Sequence, residues 1–170
     1  MDTTENRSPM EINQIYHGDC LAVLKQMPDA FANTCITSPP YFGLRDYGED
    51  AQIGLEKTPE EYVQKLVEIC REVRRVLKDD GTVWLNLGDS YNGAGGAGSV
   101  EYAQKNHKEF GKEFNMGRYQ PPKKIAGLKP KDLIGIPWMA AFALRADGWY
   151  LRQDIIWHKP NPMTESVTDR

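Results

Sequence analysis

Thr37-Ser38-Pro39-Pro40-Tyr41 constrains this chain more than any other stretch. Two consecutive prolines fix φ and remove two backbone donors, so neither residue fits a helix interior or a central strand. The residues before them, Asn33-Thr34-Cys35-Ile36, read as a short buried strand. The prolines end that strand abruptly, at the lip where α/β folds place their chemistry. The lip then carries carbonyls that only accept hydrogen bonds, the Ser38 hydroxyl and the Tyr41 ring. Such a set suits a planar base held by its exocyclic amino group. The plain alternative is a Pro-Pro turn that caps the strand.

Ser38-Pro39-Pro40-Tyr41 resembles the Ser-Pro-Pro-Tyr motif of amino-group DNA methyltransferases, the N4-cytosine and N6-adenine enzymes that use S-adenosylmethionine. Companions follow in the family's order. His17-Gly18-Asp19-Cys20-Leu21 is similar to its strand-end aspartate segment. Val76-Leu77-Lys78-Asp79-Asp80-Gly81-Thr82-Val83-Trp84 is similar to its helix, turn and second core strand, and Asn86-Leu87-Gly88-Asp89 to that strand's end. Asp154-Ile155-Ile156-Trp157-His158-Lys159-Pro160-Asn161-Pro162 is similar to the late strand and loop beside the target base.

The resemblance implies a Rossmann-like α/β core acting on double-stranded DNA with S-adenosylmethionine and no metal. Ser38, Pro39, Pro40 and Tyr41 would be catalytic. Asp19, Cys20, Leu21 and Ser38 would meet the cofactor. Tyr41, Asn86, Asp89, Trp157, Lys159 and Asn161 would meet the base or its strand. Ser at the first motif position points to cytosine N4, since Asp is commoner there among adenine N6 enzymes. In the permuted order that starts with the catalytic motif, a Phe-x-Gly-x-Gly-type cofactor loop comes last, and nothing after Pro162 resembles it. The expectation is an incomplete core, lacking the cofactor-loop strand and a late antiparallel strand. Its open strand edges would favour a complementing chain or self-association, and its activity in isolation stays open.

Charge adds a DNA contact. The chain has net charge −3, which argues against a free-standing nucleic-acid binder. Residues 92–131, however, carry eight Lys/Arg against three Glu. This insertion, expected to be flexible and basic at about 90–131, could sit against phosphates through Lys123, Lys124, Lys129 and Lys131. The bland alternative is a solvated loop. Gly93 to Gly98 matches Gly-x-Gly-x-x-Gly but lacks the apolar helix and following acid of a dinucleotide site. Cys20, Cys35 and Cys70 show no metal spacing and read as reduced thiols of a cytoplasmic protein. His17, His107 and His158 lie in unrelated segments, so no metal centre is expected.

Along the chain, residues 1–11 are expected to form a disordered polar tail and 12–170 the catalytic part of one methyltransferase domain. No stretch has the length and apolarity of a membrane span. Strands are predicted at 12–17, 33–37, 82–87 and 149–157. Helices are predicted from Leu21 to Met27, from Thr58 as cap to the Asp79-Asp80-Gly81 stop, and from Asp132 as cap to Ala146. Within the last, Trp138, Met139, Phe142 and Leu144 are expected to pack inward. Asp19 and Asp89 each have a plain alternative as cap residues, and Trp157 and Cys35 as packing residues. Three rival functions remain open: an adenine N6 enzyme, a protein or small-molecule amino-methylase, and a truncated remnant binding DNA or a partner without methyl transfer.

Overall fold

Thr58-Pro59-Glu60-Glu61 starts the longest helix by local chemistry. Thr58 Oγ1 accepts from the Glu61 amide at 3.2 Å, and the Glu61 carboxylate accepts from the Thr58 amide at 3.3 Å. This reciprocal cap has proline at the first helical position. In the computed structural model, which describes residues 10–93, 118–119 (backbone only) and 124–161, α2 runs Pro59–Val76. It is preceded by α1 (Cys20–Gln26), β1 (Ala32–Thr37) and β2 (Arg45–Asp46), and followed by β3 (Leu77–Leu85), β4 (Arg118–Tyr119) and α3 (Ile136–Ala146). The N-terminal tail up to residue 9, most of the glycine run after Gly93, Lys123 and residues 162–170 lie outside the described residues.

The described residues divide into two compact units. One comprises those up to Ser38 together with Lys65–Asn86. Its centre is the parallel pair β1–β3, with Cys35 opposite Val83, Ile36 opposite Trp84 and Thr37 opposite Leu85. The register breaks between Ala32 and Thr34. The break faces Lys78 to Gly81, where a Cβ on Gly81 would lie 2.8 Å from the Lys78 carbonyl oxygen. Asp79-Asp80-Gly81, read from sequence as the helix stop, instead lies within β3 at this irregularity, and the helix already ends at Val76. Leu66, Val67, Cys70, Val73, Val76 and Leu77 form the unit's buried stripe. The opposite face of the strand pair is open: Ile36 is 78% and Trp84 52% exposed.

Arg75 ties α1 to this unit. Its guanidinium donates to the Leu24 carbonyl at 2.7 Å and the Met27 carbonyl at 2.9 Å, and binds the carboxylates of Glu72 and Asp29. The Leu24 carbonyl, which also accepts from the Met27 amide at 3.0 Å, and the Met27 carbonyl just past the helix end thereby gain a charged donor.

The other unit comprises Pro39–Gln64 and the described residues from Leu87 on. It holds the short antiparallel pair β2–β4, a bridge between Tyr91 and Leu133, and α3. Phe42 and Tyr62 pack ring against ring with centroids 5.7 Å apart.

Several predicted elements differ. Residues 12–17 and 149–157 contain no strand. A strand exists only as part of a ladder, and neither apolar run has a ladder partner among the described residues. Helix α3 is capped at Gly135, not Asp132. It buries Ile136 and Ala140, one turn apart, while Trp138 and Phe142 stay 52% exposed each. No helix among the described residues is long and apolar enough to cross a membrane.

Replacing Arg75 by Leu should lower stability by about 2 kcal/mol, the scale of hydrogen bonds from a charged group to partly buried acceptors. Equilibrium urea unfolding checks this; an unchanged midpoint would mean that the tie to α1 does not stabilise the unit.

Candidate catalytic site

β1 delivers Ser38 at its carboxyl end, and Ser38 is exposed. The chain then turns through Pro39, Pro40 and Tyr41, all half-buried, into the buried Phe42. What holds this turn is Tyr62, in the first turn of α2. The Tyr62 side chain is fully buried, and its hydroxyl donates to the Pro40 carbonyl at 2.9 Å. Burial, with Glu56 and Tyr41 adding to it, pushes the Tyr62 phenol far up, so it remains a protonated donor.

Gly54 closes the turn from another direction. Its φ of +97° suits glycine, and a Cβ there would stand 2.8 Å from the Tyr41 carbonyl oxygen and 3.2 Å from that of Pro40. The Gly43 amide donates to the Gly54 carbonyl at 2.7 Å, and the Gly54 amide to the Glu56 carboxylate at 2.8 Å. Gly88 touches the Tyr41 ring itself: a Cβ at 88 would lie 2.6 Å from Cε2 and 2.7 Å from Cδ2.

Asp89, next in the chain, is a long-range helix cap. Its carboxylate accepts from the Gly135 amide at 2.9 Å, from the Ile136 amide at 3.2 Å and from the Ser90 amide at 2.9 Å. Gly135 offers no side chain to cap α3, so Asp89 supplies one from 46 residues away. Asn86 is exposed, and its amide donates to the Thr37 carbonyl at 2.9 Å, continuing the β1–β3 ladder.

The basic segment has an internal clamp that sequence reading missed. Asn92 is 4% exposed. Its side chain accepts from the Ile125 amide at 2.7 Å and donates to the Leu128 carbonyl at 2.9 Å and the Lys129 carbonyl at 3.1 Å. Its backbone pairs with Asp132 and Lys131. The segment around Lys124, Lys129 and Lys131 is therefore fixed, with all three lysines exposed. An Asn-Gly pair in a polar stretch reads only as a turn, so nothing local announced the clamp. Lys123 lies outside the described residues.

Asp19 caps α1 through the Ala22 amide at 2.8 Å. Cys20 is exposed and Leu21 half-buried. Burial pushes the Cys35 thiol up, which keeps it protonated and a poor nucleophile at neutral pH. Trp157 is 75% exposed, not packed as its ring alone would suggest, and Lys159 and Asn161 share its exposed segment. Among the described residues no three His, Cys, Asp or Glu side chains converge as a metal site would require.

Comparison with known proteins adds a family. The family profile of N6/N4 methyltransferases, described as DNA methylase, matches residues 32–170. Type II methyltransferase M.Cfr9I of Citrobacter freundii is 49% identical over 164 residues, covering 95% of this chain and 52% of the relative. M.XycI of Xanthomonas campestris pv. cyanopsidis is 50% identical over 156 residues, with 92% and 49% covered. M.SmaI of Serratia marcescens is 48% identical over 171 residues, with 99% and 56% covered. The chain thus spans about half the length of these curated relatives. No solved structure matches it significantly.

Asp89→Ala should remove the α3 cap and lower stability by about 1–2 kcal/mol, whereas Asp89→Asn, also a good cap, should retain most of it. Urea unfolding of both variants is the check. Equal losses would mean that charge, not capping, is what residue 89 contributes.

Proposed function

Given that the chain belongs to the N6/N4 DNA methylase family, we propose that it forms the catalytic part of a site-specific DNA methyltransferase of restriction–modification type. It would transfer a methyl group from S-adenosylmethionine to the exocyclic amine of a base turned out of the duplex, with cytosine N4 favoured by Ser38. The observation that carries this reading is the seat of the Pro40–Tyr41 peptide: Tyr62 beneath it, Gly54 beside it, and the ring against Gly88.

The Pro40 carbonyl already accepts from Tyr62; the amine acceptors in this reading are the Ser38 hydroxyl and the Pro39 carbonyl. Their hydrogen bonds would pull the NH₂ out of conjugation with the ring and free its lone pair. A poor nucleophile is thereby improved without a covalent enzyme intermediate, and positioning supplies most of the rate. Tyr41 would hold the base by stacking, a contribution of about 1–3 kcal/mol. When bound, S-adenosylmethionine supplies an electrophilic methyl group. In this chain Asp19 and Ser38 fit it best: each is exposed, and Ser38 stands at a strand's carboxyl end, where such ligands bind.

The finer architecture is part of the same proposal. A permuted Rossmann-like core, with residues 12–170 as its catalytic part and the basic insertion at about 90–131, would be completed by a further segment or chain. The open faces of β1 and β3 and the half-length coverage of the relatives support it. The same open surface favours a second reading, a subunit that binds DNA or a partner without transferring methyl groups.

The test digests DNA treated with the full-length polypeptide and S-adenosylmethionine to nucleosides. N4-methylcytosine is expected, and Ser38→Ala should lower turnover more than DNA affinity. N6-methyladenine would overturn the base assignment, and DNA binding without methylated product would favour the second reading. Neutralising Lys124, Lys129 and Lys131 to Gln should flatten the salt dependence of binding by about 0.9 per lost phosphate contact and leave sequence preference intact. An unchanged slope in a filter-binding titration would remove the clamped segment from the DNA interface.

A further inference from the structure

Gly88 is a glycine that its backbone does not require. Its φ is not in the left-handed region, unlike that of Gly54 or Gly135. What excludes a side chain is the Tyr41 ring, whose Cε2, Cδ2 and Cζ would stand 2.6, 2.7 and 3.3 Å from a Cβ. Carbon atoms rest at about 3.5–4.0 Å, so a methyl group at 88 would drive the ring or the backbone aside by about 1 Å. Both sides of this contact are anchored. Tyr62 and Gly54 hold the peptide that carries the ring. Asp89, bonded to the Gly135 and Ile136 amides, holds the segment that carries Gly88. With neither anchor free to yield, the ring is the part that moves.

We propose that Gly88 is a positioning residue: its bare backbone sets where the Tyr41 ring stands, and so where a stacked base presents its amine to Ser38 and Pro39. The inference rests on the reading of Tyr41 as the stacking face. A misplacement of this size at a reacting centre lowers rate by up to roughly 100-fold. It acts on the base and leaves binding of S-adenosylmethionine alone.

The experiment is a double-mutant cycle in the full-length polypeptide. Transfer of tritiated methyl groups to genomic DNA from a methylase-deficient bacterium is measured for the parent, Gly88→Ala, Tyr41→Ala and the double variant. Gly88→Ala should lower kcat roughly 10- to 100-fold with KM for S-adenosylmethionine unchanged. In the Tyr41→Ala background the same change should cost less than about twofold, because the ring it displaces is gone. Equal cost in both backgrounds overturns the proposal. Urea unfolding accompanies the assay: a Gly88→Ala chain that folds only when Tyr41 is Ala supports the contact, and one that folds in neither background overturns it. If Tyr41→Ala alone leaves transfer unchanged, the stacking role of Tyr41 fails, a result distinct from the others.

Discussion

Parallel strands cannot be joined by a hairpin, so the pairing of Ala32–Thr37 with Leu77–Leu85 obliges the chain to leave at one end and return through a crossover, which α2 supplies. The register has a second consequence. With Thr37 opposite Leu85, both strands release the chain at the same level. Ser38-Pro39-Pro40-Tyr41 leaves from one and Asn86-Leu87-Gly88-Asp89 from the other. The two segments richest in chemistry are adjacent because the strands before them are parallel and in this register.

Consecutive prolines make a rigid turn but create a demand. They donate nothing, and a half-buried carbonyl between them and the core needs a partner. Tyr62 meets it from α2, and the helix starts where it does because of the Thr58–Glu61 cap. A local capping signal thus fixes the height of a donor that steadies a turn 22 residues earlier. Asp89 works in the same way on the other segment, tying it to the start of α3. Two helix N-termini, one capped locally and one from afar, define the surroundings of the Tyr41 ring.

Apolar surface remains exposed in each unit. Ile36 and Trp84, register partners, are exposed together, and so are Ile155, Ile156 and Trp157. The chain spans about half the length of the curated relatives it matches.

Local chemistry was enough to read α1, α2 and the strand before the prolines. Each carries its own signal: Asp19 as a cap, Thr58-Pro59-Glu60-Glu61 as a box, and an apolar run halted by residues that cannot continue it. The motif's residue types were legible for the same reason, because two prolines, a hydroxyl and a ring narrow the chemistry before any packing is known. The apolar runs at 12–17 and 149–157 misled, because strand propensity is a statement about neighbours and those runs have none among the described residues. Asp132 looked like the cap of α3, yet Asp89 takes that place, and no spacing rule reaches across 46 residues. Gly88, Tyr62 and Asn92 were silent for a related reason. A glycine needed for space, a buried phenol and a clamping amide acquire meaning only from the group that folding brings against them. Sequence by itself determined which groups stand at the lip of β1; tertiary structure decided which carbonyl already has a donor and where the ring is held, because both depend on contacts between residues remote along the chain.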